Sequence, residues 1–292
     1  MKKIIPVLWF EKEGEKAVDF YTSIFPKSMK KEPIYGPDGK VVSMEFMIGG
    51  VDFGILNGGA FFEKNPSISF NVHPDNKEEV DRLWEKLSSN GEVLMPLQKY
   101  DFSEYYGWVR DSYGVSWQLN LGEKVRPMIF PNLLFTRDHY GKAEKAINTY
   151  TSIFNGSRIH TLYHYGEDQL LENKDALMYG AFQLEHQQFT AMDSGLDHDF
   201  SFNEGISLMV VCETQVEVDH LWEKLSADPE AEQCGWLKDE FGISWQIVPK
   251  ILIEYLKDKD EERANRVTNA MLKMKKLKIE ELKKAHLNDE QE

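Results

Sequence analysis

Residues 107–119 read GWVRDSYGVSWQL, and residues 235–247 read GWLKDEFGISWQI; seven of the 13 columns are identical. No other feature constrains the fold as tightly. A Gly-Trp start, an Asp-x-x-Gly turn and a closing Ser-Trp-Gln describe a β-hairpin. A hairpin written twice, 128 residues apart, calls for a duplicated domain.

Two further blocks recur in the same order. YTSIF at 21–25 returns at 150–154, and VDRLWEKLS at 80–88 returns as VDHLWEKLS at 218–226. The offset changes from 129 to 138 between blocks. The length differences therefore fall in loops, where they cost little.

Within each half the periodicity alternates between strand and helix. IIPVLWF (4–10) is β-rich, and GEKAVDFYTSIFP carries Ala17, Val18, Tyr21, Ile24 and Phe25 at helical spacing before Pro26 stops the run. VVSMEFMI and VDFGIL flank Gly49-Gly50 as a hairpin. ISFNV (68–72) then restarts the order, with Asp75 as expected N-cap of a helix striped by Val80, Leu83, Trp84 and Leu87. EVLMPL, GWVRD and VSWQLN supply three more strands. Each half is thus read as two βαβββ modules: domain one over 1–122, a linker over 123–127 and domain two over 128–249. Domain one carries an aromatic-rich insert, QKYDFSEYY (98–106), expected as a loop, and domain two an extra loop around 165–177.

The tail, 250–292, reads as helix, with Val267, Met271 and Met274 on one face and Pro249 at the first helical position. It holds 11 Lys/Arg against 10 Asp/Glu, so the net charge of −15 lies in the two halves. A segment this short has no core of its own and is expected to pack across the domains or on a second subunit. The acidity, without basic clusters, argues against nucleic-acid and anionic-membrane partners. No apolar run reaches the roughly 18 residues of a membrane span. Two cysteines, Cys212 and Cys234, fit free thiols in a cytosolic protein.

Phe20-Tyr21 to Phe25, Asn57-Gly58-Gly59, Val80-Asp81 to Trp84 and Gly107-Trp108 to Gln118 carry a resemblance, as do Cys212 to Trp222, Cys234 to Asp239 and Ser244 to Pro249. These blocks are similar to the PhnB-like, 3-demethylubiquinone-9 3-methyltransferase-domain group of the vicinal oxygen chelate superfamily, which includes glyoxalase and bleomycin-resistance proteins. The resemblance spans nearly the whole chain. It implies an α+β fold of tandem glyoxalase-like domains with a C-terminal helical tail. It also implies an internal pseudo-dimer or a possible homodimer, because single-domain relatives pair. The methyltransferase label finds no support in the residues: no glycine-rich loop follows a strand and opens a helix.

Enzymes of the superfamily hold a divalent metal in the cavity of the curved sheet, usually through His, Gln and Glu. The resemblance places the first-strand ligand near Pro6 or Pro131 and the last-strand ligand on Gln118 or Gln246. The middle positions fall near Leu56 and Ser69, or Met192 and Ser207. Pro, Leu and Met do not build a hard-cation or zinc site, so no metal or other cofactor is expected. His160 and His164 are four residues apart on a strand, about 13 Å, too far to share one ion. His198 falls in a polar loop.

Alternation sorts the hairpin strand: Ser116, Gln118 and Asn120 face one way, Val115, Trp117 and Leu119 the other. Gln118 and Gln246 are therefore the expected pocket residues, their amides able to donate and accept. Asn57, Asp193, Ser69, Ser207 and Glu45 join them by the same mapping. Trp117 and Trp245 are expected in the core, Trp108 and Trp236 in cross-strand packing, and Asp111 and Asp239 as caps of their turns. The expected function is small-molecule binding in a metal-free cavity. The alternatives are a superfamily isomerase, lyase or transferase using Glu45 or Asp193 as general base, and a protein-interaction module.

Overall fold

The computed structural model describes residues 4–122, 127–167 and 173–288. Most of the linker and the middle of the 165–177 loop lie outside them. Module one comprises β1 (Ile4–Phe10), α1 (Gly14–Ile24), two short strands β2 (Met29–Lys30) and β3 (Ile34–Tyr35), β4 (Val41–Ile48) and β5 (Val51–Asn57). Module two has β6 (Ile68–Val72), α2 (Lys77–Ser88), β7 (Glu92–Tyr100), β8 (Ser103–Arg110) and β9 (Ser116–Asn120). Module three has β10 (Ile129–Phe135), α3 (Ala143–Ile153), β11 (Arg158–His164), β12 (Leu177–Leu184) and β13 (Gln187–Asp193). Module four has β14 (Ile206–Cys212), α4 (Gln215–Leu225), β15 (Trp236–Lys238) and β16 (Ser244–Pro249), so among the described residues only two strands follow its helix.

The modules do not pair within their own halves. β1 runs antiparallel to β14, joining modules one and four in one eight-stranded sheet, A, ordered β15-β16-β14-β1-β5-β4-β2, with β3 on β4. β10 runs antiparallel to β6, joining modules three and two in a second, B, ordered β11-β12-β13-β10-β6-β9-β8-β7. Each sheet is thus half from one domain and half from the other. The joins, Ile4–Leu8 on Ile206–Val210 and Ile129–Leu133 on Ile68–Val72, are apolar strands buried at sheet centres.

One contiguous core lies between the sheets and takes in the apolar faces of α1 to α4. Phe53 of sheet A meets Phe70 of sheet B edge-on at 4.9 Å. Trp117 and Trp245 are fully buried there. The repeated Asp-x-x-Gly turn explains its own recurrence. Asp111 caps the turn by accepting from the Tyr113 and Val115 amides through one carboxylate oxygen, while the other accepts from Tyr21 Oη (2.8 Å) and Trp117 Nε1 (2.7 Å). Asp239 does the same with Phe241, Ile243, Tyr150 (2.6 Å) and Trp245 (2.8 Å). Each aspartate ties a hairpin in one sheet to a helix of the other module of its half. Desolvation pushes both carboxyls up, Asp239 to about 6, against four hydrogen bonds that pull down.

Three local expectations shift. The N-cap of α2 is Asn76, not Asp75, because the helix opens at Lys77; the Asn76 side chain accepts from the Glu79 amide at 2.9 Å. The aromatic insert is not a loop but the tip of the β7–β8 hairpin, where Tyr100 stacks on Phe102 and both meet Tyr106 edge-on. Pro249 ends β16 and serves as N-cap of α5 (Lys250–Leu256) rather than as its first residue.

The tail continues as α6 (Glu261–Met271) and α7 (Ile279–Leu287) and lies on the face of sheet A turned away from the main core. Leu252, Val267, Met274, Leu277 and Leu282 bury against Ile5, Val7, Met209 and Val248. The Cys234 and Gly235 amides donate to Met274 and Lys275 carbonyls, both at 2.8 Å, at the edge where module four lacks its third strand. Gly235 sits at φ +87°, and a Cβ there would stand 3.0 Å from the Ile247 carbonyl oxygen, so any other residue is strained at this approach. The tail packs on a sheet that both halves build.

Candidate functional site

With the main core on one side of each sheet, the outer faces are where the chain can meet a ligand. On sheet B that face carries a row of buried, neutral polar groups. Register sets Ser69 beside Ser116 and Asn132, Asn132 beside Thr190, and Asn71 beside Gln118. Tyr106 Oη donates to Gln118 Oε1 and Gln118 Nε2 to Ser69 Oγ, both at 2.8 Å. Asn71 Nδ2 donates to Thr190 Oγ1 (2.8 Å), and Thr190 Oγ1 to Asn132 Oδ1 (2.9 Å). Gln118 thus spends both ends of its amide on the protein.

On sheet A the twin glutamine is placed alike and partnered differently. Gln246 Nε2 donates to Ser207 Oγ at 2.9 Å. The position matching Tyr106 is Cys234, whose side chain cannot reproduce the phenol's strong donation. No described residue donates to Gln246 Oε1. This oxygen belongs to a residue lining a partly open cavity of about 240 Å3 between sheet A, the 32–37 segment and the tail. Val7, Leu56, Met209 and Val248 form most of its floor, and Leu252, Leu256 and Met271 of α5 and α6 its roof. Trp236, expected in cross-strand packing, lines the same cavity beside Cys234.

Glu45 also lines it. Its carboxylate accepts from Lys31 Nζ at 2.7 Å, and the same ammonium pairs with Asp52 at 3.0 Å. Burial draws Lys31 down, but the bonds to Glu45 and Asp52 outweigh it and hold the ammonium above its ordinary value. Glu45 is therefore a neutralised wall.

Asn57 and Asp193 do not join the outer faces. Each ends its strand where the chain turns towards a helix. Asn57 Oδ1 accepts from the Gly14 amide (3.0 Å), at the start of α1. Asp193 accepts from the amides of Gly141, Ala143 and Leu177 (2.8, 3.2 and 2.9 Å), fixing the entry to α3. Strand ends that meet helix N-termini attract acceptors for the free amides there, and these two residues serve that need. Desolvation lifts Asp193 above its usual range against those hydrogen bonds. The histidines stay apart: His164 pairs with Glu144 (2.7 Å), and His198 with Ser194 (2.9 Å). Cys212 is buried and Cys234 half-buried, and among the described residues neither forms a disulfide.

The sequence profile of the 3-demethylubiquinone-9 3-methyltransferase family matches residues 2–120 and again 127–248. The chain belongs to this family. Two PhnB-like repeats account for both halves and leave the tail outside the match. The PhnB protein of Bacillus cereus is 36% identical over 41% of this chain and 99% of its own, with a TM-score of 0.40. Glyoxalase I from Zea mays aligns over 88% of this chain and 95% of its own at 11% identity and a TM-score of 0.56. At that identity the likeness shows the fold, which is the tandem vicinal oxygen chelate arrangement. No curated protein matches the chain.

The fold implies a metal position, and the residues present do not fit it. The first-strand place is not Pro6 or Pro131, which pair with the core residues Leu208 and Phe70; it is Val7 or Asn132, one residue on. Sheet A then offers Val7, Leu56, Ser207 and Gln246, and sheet B Asn132, Met192, Ser69 and Gln118. These are neutral oxygens and apolar carbon, plus one thioether. Among the described residues no three His, Cys, Asp or Glu converge.

Proposed function

We propose that this chain binds a small, largely apolar molecule bearing one hydrogen-bond donor, in the cavity between sheet A and the tail. The observation that carries the reading is the acceptor of Gln246, to which no described residue donates, in a chamber whose floor and roof are apolar and whose rim carries Glu32, Glu45 and Lys257. Gln246 is half-buried, and a donor on the ligand would gain there the roughly 0.5–1.5 kcal/mol of one hydrogen bond. At about 240 Å3 the chamber is smaller than the roughly 300–1,000 Å3 of drug-sized sites, which limits the occupant to a few ring or chain atoms. Apolar walls favour such a ligand through burial at about 25 cal/mol per Å2.

An enzymatic use of the same cavity would require Glu45 to give up Lys31 before acting as a base. On sheet B the Gln118 amide is held by Tyr106 and Ser69, while Ser116 Oγ and Asn132 Nδ2 of the same row are buried without a partner among the described residues.

Indole and its carbocyclic analogue indene test the reading by calorimetric titration. Indole is expected to bind more tightly by the roughly 2- to 12-fold that one hydrogen bond confers. Gln246→Leu should erase that preference, and Leu56→Trp should close the chamber to both. Equal affinity for the two probes in the unaltered protein, or no binding of either, sinks the reading.

A further inference from the structure

A second site lies on the opposite side of β1 from the tail and does not depend on the cavity reading. Aligning the two halves on their sixth and fourteenth strands sets KNPSISF (64–70) over FNEGISL (202–208). Phe202 of the second half is buried and packs edge-on against Phe135 at 5.0 Å. In the first half the partner ring is Phe10, but the residue above it is Lys64. Its ammonium sits 3.9 Å from the centroid of Phe10 and donates to the carbonyl of Trp9. A lysine thus occupies the aromatic niche that its twin fills with phenylalanine.

The niche opens into a cleft of about 580 Å3 lined by the end of β1, the 59–64 loop and the 110–114 turn. The lysine's backbone is clamped from the second half. Asn203 Nδ2 donates to the Glu63 carbonyl and Asn65 Nδ2 to that of Ser201, each at 2.9 Å. A Cβ on Gly205 would fall 2.5 Å from the Glu63 carbonyl oxygen. Among the described residues Lys64 makes no ion pair within 4 Å. The charges that face it are Glu13 from the loop before α1, Glu63 from its own loop and Asp111 from the turn, with Tyr113 beside them. Glu11, Glu92 and Arg110 line the cleft farther along.

We propose that Lys64 is a covalent carbonyl-binding site for small uncharged aldehydes that enter this cleft. The nitrogen lone pair attacks the carbonyl carbon, the carbonyl π pair moves to oxygen and takes a proton, and a carbinolamine forms. Loss of water from it leaves the imine, Lys64–N=CH–R, so the sum is amine plus aldehyde giving imine plus water. No oxidant, reductant or metal enters. Desolvation supports the chemistry by bringing the Lys64 ammonium down to about 8, against the opposing pull of Glu13, Asp111 and Glu63. A larger share of the amine is then neutral near pH 7.5 than the about 0.1% of an ordinary lysine. The surrounding carboxylates repel anionic aldehydes and leave neutral ones unhindered.

The test uses the full chain, propanal and sodium cyanoborohydride, which reduces the imine in place, followed by peptide-level mass spectrometry. Lys64 is expected to take up the propyl group at least tenfold faster than the median lysine. Its rate should level off above pH 8 while the exposed lysines keep accelerating. Glyoxylate should label it more slowly than propanal does. Lys64→Phe, which installs the residue of the other half, should keep the thermal transition and remove the fast label. Labelling of Lys64 at or below the median, or a pH profile parallel to that of the exposed lysines, overturns the proposal.

Discussion

Asp111 and Asp239 show why a short motif recurs. Each closes a hairpin turn, and each holds a tyrosine and a tryptophan through its second oxygen. Replacing Asp239 with alanine strands four donors in the core and should cost about 2–4 kcal/mol, read as a shift of the urea midpoint. The pH response has a definite sign. Folding raises the Asp239 carboxyl from an ordinary value near 4 to about 6, so the native state binds its proton more tightly. That contribution to stability is present below pH 4 and is lost as pH rises through 6. Asp239→Asn removes this titration, so its stability should fall less than that of the parent between pH 4 and 6.5. An identical slope in the two proteins would show that Asp239 does not titrate there. The turn-capping half of this role was legible in Asp-x-x-Gly; the tyrosine was not, because it lies about 90 residues away. Asn57 and Asp193 misled for a related reason. They sit on the last residue of a strand, where alternation stops ruling and the free amides of a helix start take over. Lys64 was missed although a signal existed: aligned repeats place it opposite Phe202.

At the scale of elements, the long strands and first four helices follow from periodicity, and several match their expected bounds. Module four does not, because β15 has only three residues and its missing neighbour is replaced by tail carbonyls. Hydrogen bonds from Cys234 and Gly235 to residues 40 positions later leave no local trace in composition. The tail had no core of its own, so its need to pack elsewhere was legible, while its target was not. Ending the chain at Pro249 would bare Ile5, Val7, Met209 and Val248. The truncated protein should bind anilinonaphthalene sulfonate more strongly and lose its affinity for indole. Unchanged dye fluorescence would mean that the tail does not shield that face. The aromatic tip of the β7–β8 hairpin is the opposite case: a segment rich in Tyr and Phe reads as strand as readily as loop, and the strand wins by stacking Tyr100 on Phe102 and both against Tyr106.

The duplication itself was plain in the sequence, but which module pairs with which was not, since β1–β14 and β6–β10 contacts cross the chain. That pairing sets how the whole molecule holds together. Each half presents two strands, β1 and β6 in the first, that pair on one edge within their own half and on the other edge only with the other half. Residues 1–122 expressed alone would keep β1 on β5 and β6 on β9 but leave the other edge of each strand unpaired, with apolar side chains exposed there. The two repeats are alike enough for β1 of one copy to take the place of β10 against β6 of another, and twofold symmetry closes both joins at once. The fragment should therefore form a dimer of twice its mass by light scattering. Adding residues 127–288 should dissolve that dimer into a one-to-one complex, because the native joins β1–β14 and β6–β10 then become available. A folded, monomeric fragment would mean that modules one and two can close on each other, and that the cross-half joins are not what holds each half folded.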